Sequence, residues 1–146
     1  FGRELRSRLG LGCVDWSKKN VFLNDRNCHG RRNQRFFIDA KGRWRVVARR
    51  WLCLDYNTGD GNVYASKCHD GNNQKWFLTR GGLLKTRHDG RCADVHRKTK
   101  NIYMNRKCHG APNQQFVWMR SAKKAAKRAQ ERLRKKAARR RQERRR

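Results

Sequence analysis

Proline, acidic residues and long apolar runs are all scarce in this chain. Its 146 residues include one Pro, and 11 Asp and Glu stand against 40 Lys and Arg, a formal net charge of +29. No apolar run approaches the roughly 18 residues that a membrane helix needs, and nothing at Phe1 resembles a signal peptide. The sequence therefore predicts no membrane span. Phe1 is either a mature terminus or the start of a protein without a signal.

The usual signatures of catalysis are missing as well. The chain has no glycine-rich phosphate loop after a strand, no pair of carboxylates at catalytic spacing, and no Ser or Cys nucleophile once the cysteines pair. We therefore expect no enzymatic activity, no cofactor and no bound metal. Apolar residues make up 36% of the chain and include five Trp and six Phe, so a folded domain with a core is expected.

The positive charge has two sources. Residues 121–146 contain 14 Lys and Arg and two Glu, a net of +12, and residues 1–120 carry the remaining +17. The terminal segment lacks Gly, Pro, aromatic and β-branched residues and is rich in strong helix formers. It predicts a helix with Ser121 as N-cap and a narrow apolar stripe. The stripe consists of Ala122, Ala126, Ala129, Leu133 and Ala137.

A cationic helix of this kind predicts an anionic partner: nucleic acid, acidic lipid, a sulfated or sialylated glycan, or an acidic protein. The alternative is a solvated tail that only keeps the protein soluble. The predicted polyanion-binding residues are Lys123, Lys124, Lys127, Arg128, Arg132, Arg134, Lys135, Lys136, Arg139, Arg140, Arg141, Arg144, Arg145 and Arg146.

A threefold repeat of about 40 residues is the strongest signal in the sequence. Each unit opens at a glycine and then carries a Cys-x-Asp motif, a Cys-His pair and a Gln-x-aromatic motif. These landmarks are Gly2, Gly42 and Gly82; Cys13-Val-Asp15, Cys53-Leu-Asp55 and Cys92-Ala-Asp94; Cys28-His29, Cys68-His69 and Cys108-His109; and Gln34-Arg-Phe36, Gln74-Lys-Trp76 and Gln114-Gln-Phe116. Landmarks in register indicate three copies of one unit, at about 1–40, 41–80 and 81–120.

Within each unit the local patterns are those of β-strands. Residues 42–49 and 62–67 favour aromatic and β-branched residues, and turn-forming residues such as those at 57–62 separate the runs. Four short strands per unit predict a closed all-β arrangement around a pseudo-threefold axis. We expect the aromatic residues Phe36, Trp76 and Phe116 in the core, and the Gln before each to satisfy backbone groups where the last strand turns.

Two cysteines lie in each unit. Six cysteines allow 15 connectivities, but the repeat favours the local pairs Cys13–Cys28, Cys53–Cys68 and Cys92–Cys108. Three disulfides would place the chain in an oxidising compartment. Two alternatives are zinc ligation, which the absence of Cys-x2-Cys and His-x3-His pairs disfavours, and six reduced thiols in a cytosolic protein.

Residues 1–120 resemble a ricin-type β-trefoil lectin domain. The resemblance is carried by the repeated Cys-x-Asp, Cys-His and Asn-Gln-x-aromatic motifs, and it is closest to the lectin domains that follow the catalytic domain in polypeptide N-acetylgalactosaminyltransferases. It implies a β-trefoil that binds galactose or N-acetylgalactosamine on glycans or glycoproteins. The basic tail, 121–146, has no counterpart in that family.

The resemblance also implies the residues of three sugar sites. A carboxylate accepts hydrogen bonds from sugar hydroxyls, an amide donates to the same hydroxyls, and a flat ring covers the apolar face of the sugar. The acceptors are Asp15, Asp55 and Asp94, the donors Asn33, Asn73 and Asn113, and the rings His29, His69 and His109. Hydrogen bonds that the wrong epimer leaves unmade would give the specificity.

The sequence departs from the family in two respects. The family often has an aromatic residue two positions before the second Cys, and that position here holds Arg26, Ser66 or Arg106. The segment between Cys-His and Asn-Gln is also one residue shorter than in the transferases. Of the three sites, the middle one is expected to be the most competent, because Tyr56 and Tyr64 offer rings.

Basic side chains mark the first unit, where Arg26, Arg31 and Arg32 favour an acidic sugar or phosphate.

Two functions follow from these observations. The first is a secreted lectin whose tail adds binding to anionic surfaces. The second is a structural protein of a ribonucleoprotein, chromatin-like or viral particle, with the trefoil as scaffold and the tail in contact with nucleic acid. The charge of +17 on residues 1–120 exceeds what sugar binding demands and favours the second.

Overall fold

The computed structural model describes residues 1–120 and 122–145, and the side chains of all of these except 122–125. The described residues form twelve short strands followed by one helix. These are β1 (Leu5–Ser7), β2 (Cys13–Ser17), β3 (Asn20–Asn24), β4 (Phe36–Ile38), β5 (Trp44–Val46), β6 (Arg49–Tyr56), β7 (Val63–Lys67), β8 (Trp76–Leu78), β9 (Leu84–Thr86), β10 (Cys92–Val95), β11 (Ile102–Asn105), β12 (Phe116–Trp118) and α1 (Ala122–Arg144). Each unit therefore has four strands, as predicted.

Strand pairing closes the three units into a ring. The two middle strands of each unit form an antiparallel hairpin: β2 with β3, β6 with β7, and β10 with β11. The last strand of each unit pairs with the first strand of the next, β4 with β5 and β8 with β9, and β12 returns to pair with β1. This arrangement is a β-trefoil with a C-terminal helix, so the predicted fold class is confirmed.

Three asparagines join the hairpins around the pseudo-threefold axis. The Nδ2 of Asn20 donates to Oδ1 of Asn101 at 2.9 Å, Asn101 donates to Asn62 at 2.9 Å, and Asn62 donates to Asn20 at 3.4 Å. Each amide is thus both donor and acceptor in a closed triangle. The triangle ties the three units to one another at the ends of their hairpins.

The core is filled by repeat-equivalent rings. Phe36, Trp76 and Phe116 are 1%, 4% and 1% exposed, which confirms the predicted core residues. Trp44 lies beside them, with its ring centroid 6.4 Å from that of Trp76 and 4.6 Å from that of Trp118. Buried aliphatic side chains, such as Leu5, Val21 and Ile102, fill the space around these rings.

The strand expected over 42–49 is interrupted. β5 ends at Val46, the register shifts there, and β6 begins at Arg49. The backbone N–H groups of Val47 and Ala48 instead donate to the carbonyls of Arg35 and Arg32 in the preceding unit. The run at 62–67 is a strand from Val63 to Lys67, as predicted.

All six cysteines are paired within their own units. The disulfides are Cys13–Cys28, Cys53–Cys68 and Cys92–Cys108, the pairing that the repeat predicted. Each closes a loop of about 15 residues, for which the chain-entropy model gives about 3 kcal/mol of stabilisation. With all six cysteines in disulfides, the structure contains neither a thiolate to ligate zinc nor a reduced thiol.

Each Gln of the Gln-x-aromatic motif is the last residue of a short 3₁₀ turn and is fully buried. In the middle unit, Gln74 Oε1 accepts the backbone N–H of His69 at 2.7 Å, and its Nε2 donates to the carbonyl of Lys67 at 3.0 Å. Gln34 and Gln114 make the equivalent bonds. The predicted role of these amides in satisfying the turn is confirmed.

The C-terminal segment is helical from Ala122 to Arg144, as predicted. Every described side chain from Ala126 to Arg145 is exposed, including Leu133 of the apolar stripe. The predicted cap Ser121 and residue Arg146 lie outside the described residues, as do the side chains of Lys123 and Lys124. Among the residues described, no helix is both long and apolar enough to cross a membrane.

Removing the buried amide of Gln74 is expected to destabilise the domain. The change Gln74→Ala leaves the N–H of His69 without a partner and removes a donor from the carbonyl of Lys67 and another from Asp55, so we expect the free energy of unfolding to fall by about 2–4 kcal/mol. Asn72→Ala, in the same turn but exposed, should change it by less than about 0.5 kcal/mol. Denaturant unfolding of both variants is the measurement, and equal losses would contradict this role.

Asp39 organises the turn between the first and second units. Its Oδ2 accepts Nε of both Arg43 and Arg45 at 2.8 Å, and its Oδ1 accepts the backbone N–H of Lys41 and Arg43. Partial burial alone would raise the pKa of Asp39, but these hydrogen bonds outweigh it and lower the pKa from 3.8 to about 2. The turn is therefore stabilised by the ionised carboxylate.

This stabilisation should disappear in acid. Because the folded pKa lies below the unfolded one, the contribution is complete above about pH 4 and is lost as the pH falls towards 2. At pH 5 we expect Asp39→Asn to be less stable than the unmodified chain by up to about 2 kcal/mol. Unfolding curves at pH 5, 4, 3 and 2 should show this difference shrinking, and a difference independent of pH would count against the assignment.

Candidate functional site

A buried carboxylate lies in the second strand of each unit. Asp15, Asp55 and Asp94 are 3%, 2% and 2% exposed and lie on β2, β6 and β10. Each follows the first cysteine of its unit by two positions, so its side chain points to the same side of the strand as that cysteine. A carboxylate this buried requires hydrogen-bond donors from the protein.

The Asn-Gln pair of the 3₁₀ turn supplies two of these donors. In the first unit, Asn33 Nδ2 donates to Asp15 Oδ1 at 2.7 Å and Gln34 Nε2 donates to Asp15 Oδ2 at 2.8 Å. The other units repeat this geometry with distances of 2.5 and 2.9 Å to Asp55, and of 2.5 and 3.0 Å to Asp94. The structure therefore brings each predicted Asp and Asn together.

A polar residue on the neighbouring strand supplies the third donor. Asn24, Ser66 and Asn105 stand opposite the first cysteine of their units in the hairpin register. They donate to Oδ2 of Asp15, Asp55 and Asp94 at 3.1, 2.8 and 3.0 Å. In each unit this residue fills the position next to the carboxylate with an amide or hydroxyl.

The position two residues before the second cysteine, where the family often has an aromatic residue, is not equivalent in the three units. Arg26 and Arg106 lie beyond the ends of β3 and β11 and are exposed, whereas Ser66 lies on β7 opposite Cys53. The number of residues between the strand end and the second cysteine differs among the units, so counting back from the cysteine does not reach the same place in each.

Counting acceptors separates the middle site from the other two. A carboxylate has about four lone-pair sites. Asp55 fills all four, because Oδ1 accepts from Asn73 and from the backbone N–H of Tyr56, and Oδ2 accepts from Ser66 and Gln74.

Asp15 and Asp94 each receive a single hydrogen bond at Oδ1. Within the described residues, Asp15 retains one acceptor site, whereas the Tyr103 hydroxyl also lies within hydrogen-bond reach of Asp94.

The histidine after the second cysteine is fixed by its own turn. The Nδ1 atoms of His29, His69 and His109 accept the backbone N–H two residues later, at 2.9, 2.9 and 3.0 Å. An acceptor Nδ1 requires the proton of a neutral ring to be on Nε2. That atom lies 3.4 Å from Asp55 Oδ2 in the middle unit and 3.5 Å from Asp94 Oδ2 in the third. The rings of His69 and His109 remain nearly half exposed beside the carboxylate.

The aromatic rings are arranged differently from the prediction. Tyr56 is 1% exposed, and its ring packs edge-on against Trp76 at 6.0 Å, so it belongs to the core and is not available to a sugar. Asp and Tyr are neighbours on β6, so their side chains point to opposite faces.

The ring directly opposite the carboxylate is Phe22, Tyr64 or Tyr103. Burial, and then the nearby carboxylate, raises the pKa of Tyr64 and of Tyr103.

Cations surround the first and third sites unequally. In the first unit, Arg26, Arg31 and Arg32 are all exposed, as expected for side chains that can meet an anionic ligand. In the third unit, Arg97 lies 3.5 Å from Oδ1 of Asn113. The three sites thus share a polar centre but differ in the charge around it.

Sequence reasoning missed two donors to each carboxylate. The repeated Gln was assigned only to the backbone, yet its Nε2 also donates to the Asp. The sequence did contain a clue to this contact. The Gln and the Cys-x-Asp motif recur together in all three units, as expected for two side chains that contact each other. Asn24, Ser66 and Asn105 carried no such signal, since they differ in residue type and in distance from the second cysteine.

Comparison with known proteins identifies the domain type. The sequence model of the ricin-type β-trefoil lectin domain matches residues 2–116, a domain type that is itself non-catalytic. No match was found among curated proteins.

Three solved structures have a similar fold. A non-toxic homologue of type II RIPs from bitter gourd, Momordica charantia, solved with α-methyl-D-galactoside, is 19% identical, with a TM-score of 0.73 over 82% of this chain and 48% of its own. The C-half of an earthworm R-type lectin with GalNAc is 16% identical, with a TM-score of 0.62 over 80% and 95%. GalNAc-T7, solved with UDP, GalNAc and Mn²⁺, is 17% identical, with a TM-score of 0.65 over 80% and 21%.

This chain spans about half the length of the bitter-gourd protein and a fifth of GalNAc-T7. At these identities the solved structures establish the fold. Because the family match extends over most of the chain and the twelve strands close as a trefoil, the chain belongs to the ricin-type β-trefoil lectin family.

Proposed function

We propose that this protein is a non-catalytic lectin that binds terminal galactose or N-acetylgalactosamine at the sites around Asp15 and Asp94. The observation that carries the proposal is the acceptor site left on Oδ1 of these two carboxylates, next to the Asn side chain of the same unit. Galactoside and GalNAc are the ligands named for two of the structural neighbours.

The pairing of Asp with Asn suits a sugar with two adjacent hydroxyls. The Asn33 amide uses one N–H on Asp15 and has a second N–H to donate, while Asp15 Oδ1 can accept one more hydrogen bond. One sugar hydroxyl would donate to the carboxylate and its neighbour would accept from the amide. An epimer with one hydroxyl inverted would leave a buried group unpaired, which is how such a site discriminates.

Sugar binding at individual sites can be followed by NMR on the ¹⁵N-labelled full chain. We expect methyl α-galactoside and GalNAc to shift backbone amides around Asn33 and around Asn113, and methyl α-glucoside, the epimer at C4, to shift them far less. Asn33→Ala should weaken the response of the first unit by about tenfold or more and leave the third unit unchanged, since the amide is a specific partner.

Asn72→Ala is the matched control, because this Asn is exposed and its side chain makes no hydrogen bond among the described residues. It should leave both responses intact. If neither sugar shifts any amide, or if Asn33→Ala leaves the first-unit response unchanged, the proposed sites are wrong. A thermal unfolding curve for each variant separates loss of binding from loss of folding.

The helix α1 is proposed to hold the protein on an anionic polymer or surface. Its described cations, from Lys127 to Arg145, are all exposed. Weak sugar sites combined with a charged arm would bind a glycan-bearing anionic surface much more tightly than either alone. Disulfide bonds in every unit support a secretory or extracellular location.

Salt dependence measures the contribution of the helix. For binding to a duplex DNA probe, the slope of log K against log[salt] should be shallower by about 2.7 in the triple variant Lys135→Gln, Lys136→Gln, Arg139→Gln, since each lost phosphate contact removes about 0.9. A chain ending at Arg120 should have a still shallower slope. Equal slopes for all three chains would exclude the helix as the polyanion-binding element.

The second candidate function is assembly with nucleic acid, as a scaffold protein of a ribonucleoprotein, chromatin-like or viral particle. The net charge of +17 on residues 1–120 favours it, because neutral sugars require no such charge. Glycan binding that is absent while DNA binding persists would favour this function over the first.

A further inference from the structure

A shallow groove adjoins the first of the proposed sugar sites. It has a volume of about 350 Å³ and lies between the end of β3 and the turn that joins β10 to β11 in the third unit. Two of the residues that line it, Phe22 and Asn24, also flank Asp15. Phe22 stands opposite Asp15 in the hairpin, and Asn24 donates to Asp15 Oδ2 at 3.1 Å. A ligand held at Asp15 therefore has this groove as its neighbour.

A backbone contact fixes the third-unit wall of the groove. The N–H of Leu23 donates to the carbonyl of Lys100 at 2.8 Å. The same contact recurs where the turn of the second unit meets the third, since the N–H of Met104 donates to the carbonyl of Gly61 at 2.7 Å. The turn of one unit thus lies against the hairpin of another, so a neighbouring unit supplies part of the surroundings of both proposed sugar sites.

The two turns differ in charge. Residues 97–100, beside the first site, are Arg-Lys-Thr-Lys, whereas residues 58–61, beside the third site, are Thr-Gly-Asp-Gly. Lys98 and Lys100 line the groove together with Arg26 of the first unit. Cations from two units therefore meet beside the first site, and the equivalent turn at the third site carries an acid instead.

Most of these cations are available to a ligand. Arg26 and Lys98 are exposed, and within the described residues neither lies at ion-pair distance from a carboxylate. Among the same residues, one acid lines the groove: Asp25, whose Oδ2 lies 3.7 Å from Nζ of Lys100. Because Lys100 offsets Asp25, the groove keeps the positive charge of the other two side chains.

The backbone at Lys100 has a conformation that disfavours lysine. Its φ is +63°, in the left-handed region, and the equivalent Gly61 of the second unit has a φ of +83°. Glycine adopts this region without steric cost, whereas a residue with a Cβ does not. A lysine therefore stands where glycine would suit the turn better, as is typical of residues whose side chains serve a function.

We propose that this groove binds an acidic substituent on the galactose held at Asp15, either a sulfate ester or the carboxylate of a sialic acid. The inference rests on the proposed function, since Asp15 and Asn33 must hold the sugar. Ammonium and guanidinium groups form charge-assisted hydrogen bonds with both kinds of anion. Discrimination at C4 requires that the two adjacent hydroxyls are those on C3 and C4, so a substituent on C6 leaves both free.

The test is an NMR titration of the ¹⁵N-labelled full chain with four ligands. These are methyl α-galactoside, its 6-O-sulfate, its α2,6-sialylated form, and the 6-O-sulfate of methyl α-glucoside. At amides around Asn33 we expect an acidic galactoside to bind about five- to tenfold more tightly than the neutral one, since each exposed ion pair contributes up to about fivefold. The acidic galactoside that shows this gain identifies the source of the anion. The sulfated glucoside should bind weakly, because its C4 hydroxyl is inverted.

Three variants test the residues of the groove. Lys98→Gln should reduce the gain severalfold, because it removes a cation without a partner carboxylate. Lys100→Gly should reduce it as well and leave the fold intact, since glycine suits this backbone conformation. Asp25→Asn should increase the gain, because it removes the acid of the groove. All three should leave binding of the neutral galactoside, and every response around Asn113, as in the unmodified chain.

Lys67→Gln is the matched control. Lys67 is an exposed lysine of the middle unit, outside the groove, and its replacement lowers the net charge by the same amount as Lys98→Gln. It should leave the gain intact. A thermal unfolding curve for each variant shows whether a change in binding reflects a change in folding.

Several results would overturn the proposal. These are equal binding of neutral and acidic galactosides at the first unit, an equal gain for the sulfated glucoside, a gain that survives in both Lys98→Gln and Lys100→Gly, and the same loss in Lys67→Gln.

Failure of the proposed function has a different signature. If the neutral galactoside shifts the amides around Asn33 and the acidic ones bind no more tightly, the groove is wrong and the sugar site stands. If no galactoside shifts these amides, both proposals are wrong.

Discussion

Three buried aspartates are the constraint on which the rest of the structure depends. A carboxylate that is only 2–3% exposed must find its hydrogen-bond donors inside the protein. Those donors come from the 3₁₀ turn that precedes the last strand of each unit and from the neighbouring strand of the hairpin. Satisfying one Asp therefore fixes the turn, the hairpin and the start of the closing strand together. The Gln of the turn links this polar centre to the backbone, and the ring two residues later enters the core.

The same residues form both the scaffold and the proposed binding site. Asp15 and Asp94 hold their units together and also carry the acceptor site on which the proposed sugar binding depends. Asp55 is equally buried but accepts four hydrogen bonds among the described residues, so the proposed sugar sites do not include the middle unit. Replacing any of these aspartates tests folding as much as binding. Asn33 is the better residue for separating binding from folding. Its amide donates one N–H to the carboxylate and has a second N–H that a sugar could accept.

The repeat made the fold predictable. Because its motifs recur in register, they define the length of the unit, the disulfide pairs and the core rings, and three such units predict a closed β-structure. Local irregularity limited the rest. Asn24, Ser66 and Asn105 lie four, two and three residues before the second cysteine, so no fixed count from that cysteine identifies them. Tyr56 was expected at the surface, but it follows Asp55 directly on β6. Successive side chains of a strand point to opposite faces, so Tyr56 faces the core. The three asparagines at positions 20, 62 and 101 contact one another only once the three units have closed into a ring. The two sequence intervals between them differ, so the repeat did not reveal the triangle.

The distribution of the acids explains why the surface is more cationic than the net charge alone indicates. Of the nine acidic residues in 1–120, three are the buried aspartates, and Glu4, Asp39 and Asp89 are bound by neighbouring arginines. Few carboxylates are left to offset the exposed lysines and arginines. An anionic ligand is therefore attracted to the trefoil itself as well as to the helix, at a rate that falls as salt rises. Under the proposed function, this surface would favour glycans that carry negative charge, since the field would bring the anion to the domain and the Asp–Asn pair would then select the sugar.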